Sequence, residues 1–591
     1  MKFIRFCILL LVAMSVLHSC SKSEKKYDNT IPDYSEMDKL RLDSAIINLL
    51  ELSPDSLSAE YVLIRQKYSD SIKTEWVYPL SNIGKTDTLL SFLSTSEEHG
   101  ILPEQFDLDT LIILNNHFKQ KKLSYSALAY MEIKASIAYL LYCKSLRFGM
   151  FRPEKISPNY YFKTLTADSI FTSVCFRQKE LNLNNYLKQL QPTSITYVQL
   201  QNERKIYSRL VDSIFTPIPA LGENETIQKD STHEHIPLIA KRLMISGELN
   251  RSEVYSSERP TFDNDLLKAL NKFRKKNGLY IDQEIGNKTI NALNYTFKDY
   301  INKIDVNLER LRWKPAKPLG SKFIRINVAD MMLTAYDNDT IALSMKVCIG
   351  RSPQNKTPFL RSNIFELILN PTWTIPNSII IKETSKSALK DSTYLTRNKI
   401  RIYKNGVEIK HKDVKWSKIS KEYQPYRLVQ DSGRWNALGR IKFNFANKFN
   451  VYLHDTNSKS AFGLHNRAVS HGCIRVQKPL ELAFFCLPKI DLSYPEKLEA
   501  RELLQDKIRY NMRQGVKSDK AKVLIETEPE SLKLNKVSTN PSIPIIIEYF
   551  SCFTNNSGEV IFRDDIYDLD KYVFEQHNII KHIQFPDLSI E

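Results

Sequence analysis

Ser470-His471-Gly472-Cys473-Ile474-Arg475-Val476 is the stretch on which the reading of this chain turns, taken together with Tyr452-Leu453-His454-Asp455-Thr456 upstream. A free cysteine thiol is mostly protonated at neutral pH and needs help to act as a nucleophile. Here His471 stands two residues before Cys473, His454 nineteen before it, and Arg475 two after it. His-Gly-Cys reads as a sharp turn, because Gly472 permits backbone angles closed to other residues and leaves room for a substrate. Successive backbone N–H groups in such a turn can converge on one spot and stabilise an oxyanion. Hydrophobic, strand-like flanks surround both segments. The pattern therefore predicts Cys473 as a nucleophile, against a small buried cysteine as the bland alternative.

A metal site is the competing reading, since His454, His465, His471 and Cys473 lie close in sequence. No Cys-x-x-Cys or His-Glu-x-x-His spacing accompanies them, and Arg475 would repel a cation. No metal and no cofactor are expected, and His465 reads as a surface histidine.

A histidine followed by Ser-His-Gly-Cys-x-Arg closely resembles the L,D-transpeptidase signature. Asn307-Leu308-Glu309-Arg310-Leu311-Arg312-Trp313-Lys314-Pro315, Arg427 to Gln430, Asn436 to Phe443 and Arg563-Asp564-Asp565-Ile566-Tyr567 resemble the large YcbB type of that family. The resemblance implies Cys473 as nucleophile and His454 as its base, with the backbone carbonyl of Asp455 orienting the imidazole. The N–H groups of His471 and Gly472, with that of Cys473, would form the oxyanion hole, and the His471 side chain would assist. Arg475 either holds a substrate carboxylate or braces the turn; Ser470, Asn436, Tyr452 and Trp373 are expected to line the substrate. The side chain of Asp455 is either functional or only a solvated turn acid.

The implied reaction is acyl transfer on peptidoglycan stem peptides. The thiolate attacks after the third-position diamino acid, D-alanine leaves, and the amine of another stem resolves the thioester into a three-to-three crosslink. Two rivals stand beside it: an L,D-carboxypeptidase-type cysteine hydrolase, and a non-catalytic peptidoglycan-binding lipoprotein.

The chain opens with Lys2 and Arg5, an apolar run from Phe6 to Leu17, and Leu17-His18-Ser19-Cys20. That reads as a lipoprotein signal over 1–20 with lipidation at Cys20, then a tether over 21–34. The expected location is the bacterial cell envelope, facing the periplasm. The formal charge of +17 would suit nucleic acid, but export argues against it; an acidic wall polymer fits better. Cys143, Cys175, Cys348, Cys473, Cys486 and Cys552 are scattered without disulfide spacing, so no required disulfide is predicted.

The expected fold is α+β and multidomain. A helical scaffold spans 35–235, with helices from Ser124 to Leu146 and from Thr88 to His99, the latter closed by Gly100. Gly222 to Glu234 is polar and reads as a linker. A small helical module over 236–295 resembles peptidoglycan-binding domain 1, with helices Asp263 to Asn277 and Asn287 to Leu293; Gly278 would cap the first and Gly286 would open the next tight turn. A β-rich catalytic domain spans 296–575, and a tail 576–591 follows. Its strand candidates are Phe323 to Val328, Met331 to Ala335, Ile341 to Ile349 and Phe365 to Asn370. Pro544 to Tyr549 and Gly558 to Tyr567 are predicted to pair with each other. The lysine-rich insertion 378–426, helical over Ile379 to Asp391 and hairpin-like over Ile400 to His411, is predicted as a lid.

Overall fold

The computed structural model describes residues 27–52, 59–158, 160–161, 164–165, 169–250, 260–313, 319–488 and 495–577. The signal segment, Cys20, the start of the tether and nearly all of the tail lie outside the described residues. Among the described residues no helix is long and apolar enough to cross a membrane. They fall into two compact units, residues 27–150 with 169–192 and residues 151–165 with 193–576.

The first unit is helical and centres on Tyr125–Phe148. Ser124 opens that helix, its Oγ accepting from the Ala127 N–H. The helix is apolar around most of its circumference and is buried accordingly, against Lys39–Leu52, Ala59–Asp70 and Leu108–Lys119. Glu132 lies fully buried within it. Its carboxylate accepts N–H bonds from Glu75, Trp76 and Val77 at 2.6, 2.9 and 3.1 Å and the Tyr68 hydroxyl at 2.6 Å. A buried acid satisfied in this way braces a scaffold. The helix expected over Thr88 to His99 runs instead over Ile83–Ser94, with a 3-10 turn at Ser96–His99; Gly100 ends it in a left-handed conformation, φ 67°.

In the second unit the small module is larger than its sequence suggests. Ile236–Ile245 forms an additional helix beside Asn264–Lys276 and Asn287–Leu293. The stretch read as a linker is part of it, since Ile227–Gln228 pairs antiparallel with Glu284–Ile285. Leu221 also exchanges backbone bonds with the Asn287 amide at 2.8 and 3.0 Å. One apolar anchor, Ile227, sits in that polar run and Leu221 just before it, too few to register as periodicity. Gly278 caps its helix at φ 66° as expected, whereas Gly286 is extended at φ −112°, a conformation open to any residue. The helix Ile195–Leu210, expected within the scaffold, packs Tyr197, Leu200 and Tyr207 onto Phe297 and Ile301 of the helix Phe297–Arg312.

The catalytic region is built on one sheet. Its strands run in the order Phe359–Leu369, Ile441–Phe445, Leu453–His454, Ile474–Val476, Thr340–Gly350, Met332–Asp337, Lys322–Asn327 and Lys536–Glu548. Because Lys536–Glu548 also pairs with Phe359–Leu369, the order closes on itself. Ile324, Ile326, Leu333, Ala335, Val347 and Ile349 alternate into the enclosed core. Asn338 and Asp339, both at positive φ, make the two-residue turn between Met332–Asp337 and Thr340–Gly350. The predicted pairing of Pro544 to Tyr549 with Gly558 to Tyr567 does not form. Ile543, Ile545 and Ile547 carry the first segment into the main core, and Val560–Phe562 pairs with Cys552–Thr554. Burial of alternating isoleucines outweighs sequence proximity.

The insertion has a core of its own around Ile375, Ile380, Leu395, Ile402, Trp416 and Leu428. A second sheet joins Val407–Ile409, Ile400–Lys404, Tyr426–Gln430 and Trp373–Thr374. The helical stretch from Asn377 to Lys390 contains a π turn at Ile380–Thr384.

Candidate active site

Two short parallel strands bring the motif halves together. Leu453 pairs with Ile474 and His454 with Arg475, and the Ile474 N–H donates to the Tyr452 carbonyl at 3.1 Å. Just before this pairing the chain turns at Gly472, φ 115°. The turn is held from behind by residues whose role the motif alone does not reveal. Thr357 Oγ1 donates to the Gly472 carbonyl at 2.9 Å and accepts the Gly350 N–H at 2.9 Å. The Tyr567 hydroxyl accepts from the Thr357 N–H at 3.0 Å and donates to the Gly350 carbonyl at 2.6 Å. The only sequence signal for this brace is the pair of turns around Gly350 and Thr357-Pro358.

His454 is buried, and its Nδ1 lies 2.5 Å from the Asp455 carbonyl oxygen. That contact puts the proton on Nδ1 and leaves the Nε2 lone pair to accept one. Burial, with Arg475 adding to it, pushes the imidazole down to about 3, so it is neutral across the physiological range. Burial pushes the Cys473 thiol up, opposed by the N–H and hydroxyl of Tyr452 and the charges of Lys442 and Arg475. The site thus holds a thiol, which lies 3.9 Å from the Asn450 carbonyl oxygen, and a neutral imidazole.

Asp455 is no solvated turn acid. Its carboxylate is buried, accepts the Arg440 N–H at 2.8 Å and pairs with Lys459. Gly439, at φ 62°, passes so close that a Cβ there would lie 2.4 Å from that carboxyl. Asp455 thus fixes the turn that carries the carbonyl facing His454.

Several expected roles change. The Gly472 N–H is spent on Ser470 Oγ at 3.2 Å, which leaves the N–H groups of His471 and Cys473 for a substrate oxygen. Ser470 is buried and donates to the Cys473 carbonyl at 2.5 Å, so it braces the turn and does not line the substrate. Asn436 is also fully buried, its amide donating to the carbonyls of Pro371 and Asp431 at 3.1 and 3.0 Å while its oxygen accepts the Leu438 N–H. Tyr452 lies near both Cys473 and Trp373; burial raises its hydroxyl pKa, Cys473 adds to that shift and Trp373 opposes it. Lys442 Nζ stands 4.1 Å over the Tyr452 ring, a cation beside the sulfur that the motif does not announce.

The His471 side chain turns away from the sulfur and contacts Glu383 of the insertion, Nε2 to Oε1 2.6 Å. His465 is exposed. Arg475 is half-buried, and its buried Nε has no hydrogen-bond partner. Burial lowers its pKa, while the Cys348 and Cys473 sulfurs oppose that shift. A half-buried guanidinium with an unsatisfied N–H near Cys473 can accept a carboxylate as its partner.

Residues 321–495 match the family model of the YkuD L,D-transpeptidase catalytic domain, and residues 64–203 match a model described as a scaffold domain. A curated Haemophilus influenzae protein named "Putative L,D-transpeptidase" is 25% identical over 348 residues, covering 56% of this chain. The chain spans 63% of the length of that relative. Among solved structures, an L,D-transpeptidase from Xylanimonas cellulosilytica is 13% identical, covering 44% of this chain and 91% of its own, with a TM-score of 0.14. One from Stackebrandtia nassauensis is 12% identical, covering 46% and 91%, with a TM-score of 0.17. The catalytic-domain match spans His454, Cys473 and Arg475.

Proposed function

We propose that this chain is a cell-wall L,D-transpeptidase that forms three-to-three crosslinks through a Cys473 thioester. The observation that carries the reading is the site within the matched domain: His454, held as the Nδ1–H tautomer by the Asp455 carbonyl, on the strand beside the Gly472–Cys473 turn. His454 Nε2 takes the thiol proton as sulfur attacks the carbonyl of the third-position diamino acid. The same imidazole returns the proton to the departing D-alanine amine, leaving a thioester. The N–H groups of His471 and Cys473 stabilise the tetrahedral oxyanion, and Arg475 receives a stem carboxylate. The side-chain amine of a second stem then attacks the thioester, loses its proton to His454 and restores the thiol.

In this reading the insertion 378–426 is a lid that shields the thioester from water until the amine arrives. Lipidation at Cys20 would hold the enzyme at an envelope membrane with stem peptides in reach. Analysis of muropeptide products tests the whole reading. Crosslinked dimers that disappear with Cys473→Ser are expected. Trimmed monomer alone would assign the hydrolase. Failure of Cys473 to form a carbapenem adduct by intact mass would leave a non-catalytic wall-binding protein.

A further inference from the structure

Away from Cys473, the outer face of the same sheet floors a cavity of about 1020 Å³. Its floor is one cross-strand row: Ser344 pairs with Thr334, Thr334 with Arg325, Arg325 with Ile546, and Ile546 with Arg361. All five line the cavity. At about 4.8 Å per strand, four gaps make a trough roughly 19 Å long. One step along the strands, Asn327 and Glu548 form a second paired row.

The walls are aromatic. Tyr336 stacks on Phe323 with centroids 4.8 Å apart, and Phe550 and Phe553 face the trough half-exposed from the other side. The acids in the lining are answered: Glu548 pairs with Arg325 at 2.9 Å and Asp330 with Arg563 at 2.6 Å. Lys275, Arg310 and Arg361 also line it; Lys275 pairs with Glu559 at 3.4 Å and the buried Arg310 with Asp570 at 2.5 Å.

We infer that this trough is a second binding site, for an N-acetylated glycan chain carrying acidic peptides. Flat ring faces suit the C–H faces of pyranoses, and the hydroxyl, amide and guanidinium groups of the floor suit acetamido carbonyls and hydroxyls. The Lys275 and Arg325 cations of the lining, each only in a partly exposed pair, suit the carboxylates that such a chain bears. The assignment rests on the peptidoglycan reading above and deepens it. The trough holds the strand while Cys473, which shares none of these residues, works on a stem. It places sugar recognition mainly on the sheet, with Lys275 of the small module in the lining.

The test measures the affinity of the full chain for the N-acetylglucosamine tetramer by calorimetry, with co-sedimentation on purified sacculi. Tyr336→Ala combined with Phe553→Ala removes the platform, and Thr334→Trp fills the floor. Each is expected to weaken tetramer binding at least tenfold and to reduce sedimentation, while carbapenem acylation of Cys473 stays within twofold and reports an intact fold. No tetramer binding by the unaltered chain, or equal binding by both variants, overturns the inference. Loss of acylation in the unaltered chain with trough binding intact would instead overturn the transpeptidase reading.

Discussion

His471 Nε2 and Glu383 Oε1 stand 2.6 Å apart, so the turn that carries Cys473 is tied directly to the π turn of the insertion. Both side chains are substantially exposed, at 38% and 54%. Such a pair is worth about 1 kcal/mol or less, weak enough for the lid motion proposed above. Glu383→Gln is expected to change acylation by a small carbapenem less than about fivefold, since nothing near the sulfur is removed. The ratio of hydrolysed to crosslinked stem should rise as closure weakens. An unchanged ratio in muropeptide analysis would reduce the contact to a surface ion pair.

Burial holds His454 at about 3, far below the ~6.5 of a free histidine. Acylation should therefore show no histidine limb between about pH 5 and 8. A rate that falls through that window would take the base role away from His454. For stability the sign follows from linkage: the unfolded chain takes up the proton first as pH drops. Native stability is thus present in full above about pH 6.5 and is lost progressively toward pH 3. Denaturant midpoints at pH 7 and pH 4.5 should fall less steeply in His454→Gln.

Burial raises the Cys473 thiol pKa, and Tyr452 beside it opposes that shift. Hydrogen bonds to charged groups contribute about 1.5–3 kcal/mol. Tyr452→Phe keeps the ring under Lys442 and removes only the hydroxyl. Acylation is expected to slow roughly 10- to 100-fold, with the thiol titrating higher by alkylation kinetics. A variant as fast as the parent would place the hydroxyl outside the reaction.

Gly472 and Gly350 are needed for different reasons, and alanine separates them. A Cβ on Gly472 would meet nothing nearer than the Asn355 carbonyl oxygen at 3.8 Å, but φ is 115°. Gly472→Ala should fold, at a cost of about 1–3 kcal/mol of backbone strain, and lose most acylation as the turn shifts. A Cβ on Gly350 would fall 1.8 Å from that same oxygen. Gly350→Ala is expected to lower the thermal midpoint well beyond Gly472→Ala, and equal midpoints would refute this account of the turn.

The pairing of the two motif halves that carry His454 and Cys473 was legible from the chain because it depends on local features. Gly472 beside Cys473 marks a turn, and the hydrophobic flanks mark strands that need a neighbour. The helix Tyr125–Phe148, the two later helices of the small module, and the hairpin turn at Asn338-Asp339 were readable for the same reason: periodicity, caps and turn residues are written within a few positions. What the chain could not declare were contacts made across long separations. Thr357 and Tyr567 brace the Gly472 turn from far away in sequence, and Glu383 reaches His471 from the insertion. Ser470 and Asn436, polar residues expected to face substrate, are buried because backbone groups around them needed partners. Lys536–Glu548 chose the main sheet over its sequence neighbour because isoleucines gain more by entering the shared core than by forming a local hairpin. Local backbone preference and motif chemistry are set residue by residue. The identity of each residue's partner is set by which burial and hydrogen-bond satisfaction the closed fold allows.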